Sequence, residues 1–520
     1  MTPNGRTNAT SGGPTGLTVD ELGRRRLARA AATTDVAEFS RHGRDDWSGW
    51  LAHLGGAAAG CSHPIRLAGS LTTVEQSTGR ITVESHTSAM PDAVLYVPCG
   101  NRRANVCASC AETYRADTYQ LVTAGLLGGK GVPPTVAEHP CVFLTCTAPS
   151  FGPVHTHRTD AKGPPLPCHP RRQVDTCEHG IDLVCWDRHD EHAPEVGRPL
   201  CLDCYDHDRQ AVWNHSAGEL WRRTMVAAGR ALRRLEEPGA KLRLSYTKVA
   251  EYQTRGAVHF HALVRLDGRD PDDPTAILTP NPGIRAGHVA LLLREAVHGT
   301  VFRSDAHPDR PEGWSIGWGE QCDPRPVRLT VRDVDDAGEI THGAVAGYLA
   351  KYATKATEMA GHVSTRLTPE TAAAYADTTT HVGRQIAACW RLGTRPDREG
   401  APPPDAEEWR EGWGRLRRWA HMLGFGGHFS TRSRRYSTTM TALRAARRDW
   451  ARAHAANTGP DVDERDDQAD EDTTEVVVAS LAFAGIGWHT TADALMANTA
   501  AANARARRHA ARDELTSITC

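Results

Sequence analysis

The sequence predicts an α+β fold, and three observations carry that prediction. KLRLSYTKVAEYQ (241–253) and AVHFHALVRLD (257–267) have strand-like patterning on either side of Thr254, Arg255 and Gly256, which reads as a β-hairpin. VFLTCT (142–147) reads as a further strand, ended by APSFGP. Between and after these strands lie stretches of helical periodicity, the longest early one at 207–237.

The elements follow in chain order. Residues 1–17 are rich in Gly, Thr, Asn and Pro and are expected to be disordered, while 18–55 shows helical periodicity broken by polar turns. The span 1–90 is therefore expected as a flexible N-terminus with a helical segment. A domain over 91–395 holds the hairpin and VFLTCT, with a cysteine-rich insertion around 158–206. After the hairpin come Asp/Pro-rich loops at 269–284 and a helix at GHVALLLREAVHGTVF (287–302). A strand near VRLTVRDV (327–334), a helix beginning around His342 and a helix over 372–390 complete the domain. The linker 400–408 opens a basic helical region, 396–460, expected to bind DNA. An acidic linker (461–475) then leads to a short strand and a C-terminal helix within 476–520.

Charge is balanced overall, with 61 Lys and Arg against 63 Asp and Glu, so no global basic field points to a polyanionic partner. Locally the balance breaks. FSTRSRRYSTTMTALRAARR (429–448) is strongly basic, and Arg432, Arg434, Arg435, Arg444, Arg447 and Arg448, with Tyr436, are candidates for phosphate contacts and base stacking. The competing reading is a solvated charged face. No run of about 18 apolar residues is present and the first residues lack the apolar core of a signal peptide, so a cytoplasmic protein without a membrane partner is expected. The absence of a GxxxxGK[ST] stretch argues against ATP-driven unwinding by this chain.

The hairpin carries the first chemical signal. On a strand, alternate side chains share a face, so His259 and His261 project together, about 6 to 7 Å apart along the strand, while Val258, Phe260 and Ala262 face a core. Glu251, just before the turn, is positioned to add an oxygen ligand, and this mixed set suits Mg²⁺ or Mn²⁺. The plainer reading is a pair of polar residues on a wet face. The second signal is YLAKYATK (348–355): in a helix Tyr348 and Tyr352 stand one turn apart, with Lys351 beside them. Buried tyrosine bodies with snorkelling lysines would give the same pattern. A phenol is a poor nucleophile at its ordinary pKa of about 10, so nearby ammonium charge and a metal-polarised phosphate would each help it react.

The sequence has 14 cysteines, too few for a stapled secreted scaffold, and they are clustered. Cys185, His189, Cys201 and Cys204 have the form C-x3-H-x11-C-x2-C and are expected to close one tetrahedral zinc site. Cys99, Cys107 and Cys110 need a fourth ligand, for which Cys168, Cys177 or His179 is available. Cys61, Cys141, Cys146, Cys322, Cys389 and Cys520 are expected as small core residues. Zinc in a fully occupied ligand set would be structural.

The strand at VFLTCTAPSFGPVHTH, the His-hydrophobe-His strand and the Tyr-x-x-Lys-Tyr helix, in that order, resemble the rolling-circle replication initiators. The chain is most similar to those carried by actinobacterial plasmids and integrative conjugative elements. SYTKVAEYQTRGAVHFHALVRLDG, PLCLDCYDHDRQAVWNHSAGELWRR and LGFGGHFSTRSRRYSTT extend the resemblance over about 90 to 505. It implies a His-hydrophobe-His endonuclease fold over 91–395: a central antiparallel sheet with flanking helices, the metal on the sheet and the nucleophile on a neighbouring helix. It further implies nicking of one strand at a double-strand origin through a 5′-phosphotyrosine, with rejoining at the end of a round. His259 and His261 match the metal ligands, Tyr348 the nucleophile and Tyr352 the second tyrosine. Origin DNA, single-stranded at the nick, a host helicase and a DNA polymerase are the implied partners. Two rivals stand beside it: a relaxase or transposase with the same chemistry, and a non-catalytic, zinc-containing DNA-binding regulator. Conjugative relaxases commonly carry the nucleophile ahead of the histidines; here the tyrosines come last.

Overall fold

A computed structural model describes residues 58, 60–75, 78–159, 163–236, 241–327, 342–353, 365–397, 404–456 and 475–518. The chain divides into two compact units, one of residues 114–460 and one of residues 1–113 with 461–520. The fold is a mixed α+β one, with a helical C-terminal segment.

The larger unit is built on a five-stranded, wholly antiparallel sheet. Its order is Cys322–Pro326, Cys141–Cys146, Val258–Arg269, Lys241–Tyr252 and Ser430–Arg432. The two long central strands form the expected hairpin, in a register that sets Glu251 opposite His259. Gly256 makes the turn possible: its φ is +76°, and a Cβ there would stand 2.6 Å from Leu423 Cδ1.

Period-two alternation divides the central strand between two cores. Val258, Phe260, Ala262, Val264 and Leu266 have no exposed surface and pack with Trp213, Leu220 and Trp221 of the helix His207–Leu232 and with the helix Ala286–Gly299. On the opposite face Leu263 packs with Val122 and Leu126 of the helix Ala108–Leu127, and with Val345 and Leu349 of the helix His342–Ala353. Covering both faces forces the polar residues of the strand to find partners within the core. Arg265 and Asp267 do so with each other at 2.6 Å (Nε to Oδ1), and Asp267 also accepts from Ser245 Oγ at 2.6 Å and meets His139 Nδ1 at 2.9 Å.

In the smaller unit the strand Ile65–Glu75 lies between Ile81–His86 and Glu475–Ile486, and also pairs with Leu95–Val97. The strands Ile65–Glu75 and Ile81–His86 therefore fall within 1–90, the span expected as a flexible N-terminus with a helical segment. The strand at 475–486 runs for 12 residues where a short one was expected. Every residue of Ile65–Glu75 is half-buried, so no clean alternation marks it in the sequence. The helix expected over 372–390 is two, Pro369–Tyr375 and His381–Gly393, because Thr380 caps the second by accepting from the Gly383 amide at 3.1 Å. The expectations for residues 1–55, for 461–474 and for most of the strand at 327–334 fall outside the described residues. Among the described residues no helix is long and apolar enough to cross a membrane.

Candidate active site and metal-binding clusters

The hairpin register brings Glu251, His259 and His261 to one point. His259 Nε2 lies 3.1 Å and His261 Nε2 3.5 Å from Glu251 Oε2, and the two imidazole nitrogens are 3.2 Å apart. Three ligand atoms with these spacings form one face of an octahedron with bonds of about 2.1 Å, whose edges are about 3.0 Å, so the donor set fits a hard divalent cation. The side chains are mostly buried, His261 most deeply at 5% exposure. His261 is also fixed from behind: Thr145, its cross-strand neighbour, places Oγ1 3.0 Å from Nδ1, which leaves Nε2 facing the cluster.

Tyr348 enters from the helix His342–Ala353, and its hydroxyl lies 3.1 Å from His261 Nε2. Phe143 sets both rings, stacking on His261 at 5.8 Å and meeting Tyr348 edge-on at 5.8 Å. Lys351 follows Tyr348 by three residues on the same helix and is exposed. Tyr352 belongs to this helix too, but its side chain lies outside the described residues.

Among the described residues, nine cysteines and three histidines form three four-ligand groups, in each of which the ligand atoms lie within 4.8 Å of one another. The groups are Cys61, Cys99, Cys107 and Cys110; His155, Cys168, Cys185 and His189; and Cys177, His179, Cys201 and Cys204. This corrects the expected pairing. Cys185 and His189 do not share a site with Cys201 and Cys204, and the fourth partner of Cys99, Cys107 and Cys110 is Cys61, expected as a core residue. Nearness in sequence misled, because the backbone pairs His169 with Cys185 and Thr176 with Asp182 and so brings Cys168 to Cys185. His155 was also missed, although VHTH shows two histidines a short distance before Cys168. The buried thiols Cys141, Cys146 and Cys389 do lie in the core.

The basic stretch is only partly available to a ligand. Tyr436 is fully buried, which corrects its expected role as a stacking surface: its ring fills space left by Gly125, where a Cβ would stand 2.2 Å from Tyr436 Cε1. Arg444 and Arg447 engage the buried carboxylate of Asp117 at 3.0 and 2.5 Å. Arg432 and Arg435 are half-buried, and Arg434 and Arg448 are exposed.

Residues 46–502 match the family model described as RepSA, replication initiator protein, pSAM2. The chain belongs to the RepSA family. A replication initiator protein of Streptomyces ambofaciens is 38% identical over 485 residues, which cover 90% of this chain and 93% of that relative. No solved structure matches the chain. As a RepSA family member the protein functions as a replication initiator for rolling-circle replication.

Proposed function

We propose that this initiator opens its origin as a His-hydrophobe-His endonuclease, nicking one DNA strand with Tyr348 as nucleophile. The observation that carries the reading is the 3.1 Å approach of the Tyr348 hydroxyl to a cluster of two imidazoles and a carboxylate on the sheet. Glu251, His259 and His261 would hold Mg²⁺ or Mn²⁺, which when bound supplies Lewis-acid polarisation of a phosphoryl oxygen. The phenol oxygen of Tyr348 forms a bond to phosphorus as it gives up its proton. The bond from phosphorus to the 3′ oxygen breaks, and the freed 3′ hydroxyl carries a proton away. The phosphodiester is exchanged, not hydrolysed, so the same site can rejoin ends without ATP. Lys351 is suited to steady the phenolate or to neutralise the phosphate. Tyr352 is the second tyrosine in this reading and serves the transfer that ends a round.

The substrate segment is single-stranded at the nick, presented by a hairpin or melted origin. Arg434, Arg435 and Arg448 of the basic region contact its flanking phosphates, with Arg432 beside them. A host helicase unwinds the duplex and a DNA polymerase extends the 3′ hydroxyl. The cysteine-containing groups hold structural zinc, since a closed set of four thiolate and imidazole ligands leaves no position open for a substrate.

The test is incubation of full-length protein with supercoiled and single-stranded origin DNA in Mg²⁺ or Mn²⁺, followed by mapping of the DNA-linked peptide. The expected adduct is on Tyr348, and Tyr348→Phe should lower nicking by several orders of magnitude with DNA binding retained. An adduct that persists in Tyr348→Phe assigns the nucleophile elsewhere. Nicking that survives replacement of both His259 and His261 by Ala removes the metal from the mechanism.

A further inference from the structure

The two metal-ligand groups of the cysteine-rich insertion are interleaved along the chain. His155 and Cys168 belong to the first group, Cys177 and His179 to the second, Cys185 and His189 to the first again, and Cys201 and Cys204 to the second. The separations within each group, from 3.1 to 4.0 Å, lie around those of tetrahedral edges. A site with bonds of about 2.0 Å to nitrogen and 2.3 Å to sulfur has edges of about 3.3 to 3.8 Å. In the first group His155 Nδ1 lies 3.1 Å from His189 Nε2, and the sulfurs of Cys168 and Cys185 lie 3.9 and 3.5 Å from His155 and His189. In the second, His179 Nδ1 lies 4.0, 3.8 and 3.3 Å from the sulfurs of Cys177, Cys201 and Cys204. Backbone amides support the sulfurs, as when Thr156 N–H donates to Cys168 Sγ at 3.1 Å.

We propose that residues 154–204 form a cross-braced module holding two zinc ions that are gained and lost together. Each ion closes a loop that contains ligands of the other, and both loops share the stretch from Cys177 to His189. Ordering that stretch for one ion prepares it for the second, so the folding cost is met once and the two binding events are coupled. The insertion has little regular secondary structure: among its described residues the strands are Arg158–Thr159 and Pro165–Leu166, two residues each, and the rest is isolated bridges, turns and side-chain hydrogen bonds.

The module also bears on the hairpin of the nick centre. Gly197, at φ +87°, sits so close to the turn that a Cβ would stand 2.6 Å from the Thr254 carbonyl carbon. Beside that contact a cleft of about 450 Å³ has His155, His157 and His192 on its module wall and Glu251, Tyr252 and Arg255 on its hairpin wall. Zinc in the module therefore sets one side of the approach to Glu251.

Metal analysis of full-length protein, purified without chelator, tests this together with hydrogen exchange. The expected content is three zinc ions per chain. Cys177→Ser with Cys204→Ser should remove two and raise exchange over the whole of 153–206, whereas Cys61→Ser with Cys107→Ser should remove one and leave exchange over 153–206 unchanged. Chelator titration of the unsubstituted protein reads the coupling without any variant, and the two ions of the module should leave in one step. Loss of a single ion from Cys177→Ser with Cys204→Ser, or stepwise release on titration, overturns the interlock. A content below two ions overturns the sites themselves. None of these readouts uses nicking, so the module and the nick chemistry stand or fall separately.

Discussion

His261 is oriented by residues outside the cluster it forms with Glu251 and His259. Thr145 contacts its Nδ1 at 3.0 Å, and Phe143 lies nearly parallel to its ring. Without the Thr145 hydroxyl the imidazole is free to rotate and to change tautomer, and such losses typically cost 10–100-fold in metal affinity. Thr145→Val, close to isosteric, should weaken Mn²⁺ binding by about that factor while thermal stability changes little. Calorimetric titration of Mn²⁺ into full-length protein purified without chelator measures it, and unchanged affinity would remove Thr145 from the centre. His259 and His261 were legible in the sequence because period two puts them on one face. Thr145 was not, since nothing in VFLTCT reveals which residue of the next strand it will face.

Between elements, the helices Ala108–Leu127 and Met440–Ala456 are joined by charge. The Asp117 carboxylate is fully buried and is met by Arg444 and Arg447, each about half exposed. Removing both arginines strands a buried carboxylate, and with screening at the exposed ends the expected loss is about 1–3 kcal/mol of stability. Denaturant unfolding of the doubly substituted protein (Arg444→Ala, Arg447→Ala) measures that loss, and a change within 0.5 kcal/mol, the range of about that size usual for surface sites, would contradict it. These arginines read as DNA contacts in the sequence because a basic run looks the same whether it meets phosphate or a distant aspartate. The hairpin was easier to read: two alternating strands joined by a Gly-containing turn determine their own pairing, and with it the meeting of Glu251 and His259. The grouping of the cysteines and histidines was not legible, because the antiparallel contacts inside the insertion carry no periodic signal.

Across the whole molecule, acid sensitivity should come from paired buried histidines. His207 Nε2 and His381 Nδ1 are 3.1 Å apart, and burial, reinforced by neighbouring positive charge, pushes their pKa values down to about 3 and about 4. The unfolded chain takes up protons near pH 6.5 while the native pair does not, so their contribution is present above that pH. It is lost as pH falls from about 6.5 toward 4. The thermal midpoint should drop over that window and recover part of the loss in His207→Gln with His381→Gln; a flat profile would show the pair ionises as readily folded as unfolded.

The strand Ile65–Glu75 takes its outer neighbour from the far part of the chain, with partners running from Ile65↔Ile486 to Glu75↔Glu475. During synthesis the first of these strands emerges long before the second, and one of its edges stays open meanwhile. Residues 114–460, by contrast, bring every strand of their sheet from within themselves. The sheet that carries Glu251, His259 and His261 can thus be assembled on the ribosome while the smaller unit is still incomplete. A truncated product ending after Pro460 would carry a finished sheet beside a strand still exposed for pairing with another chain.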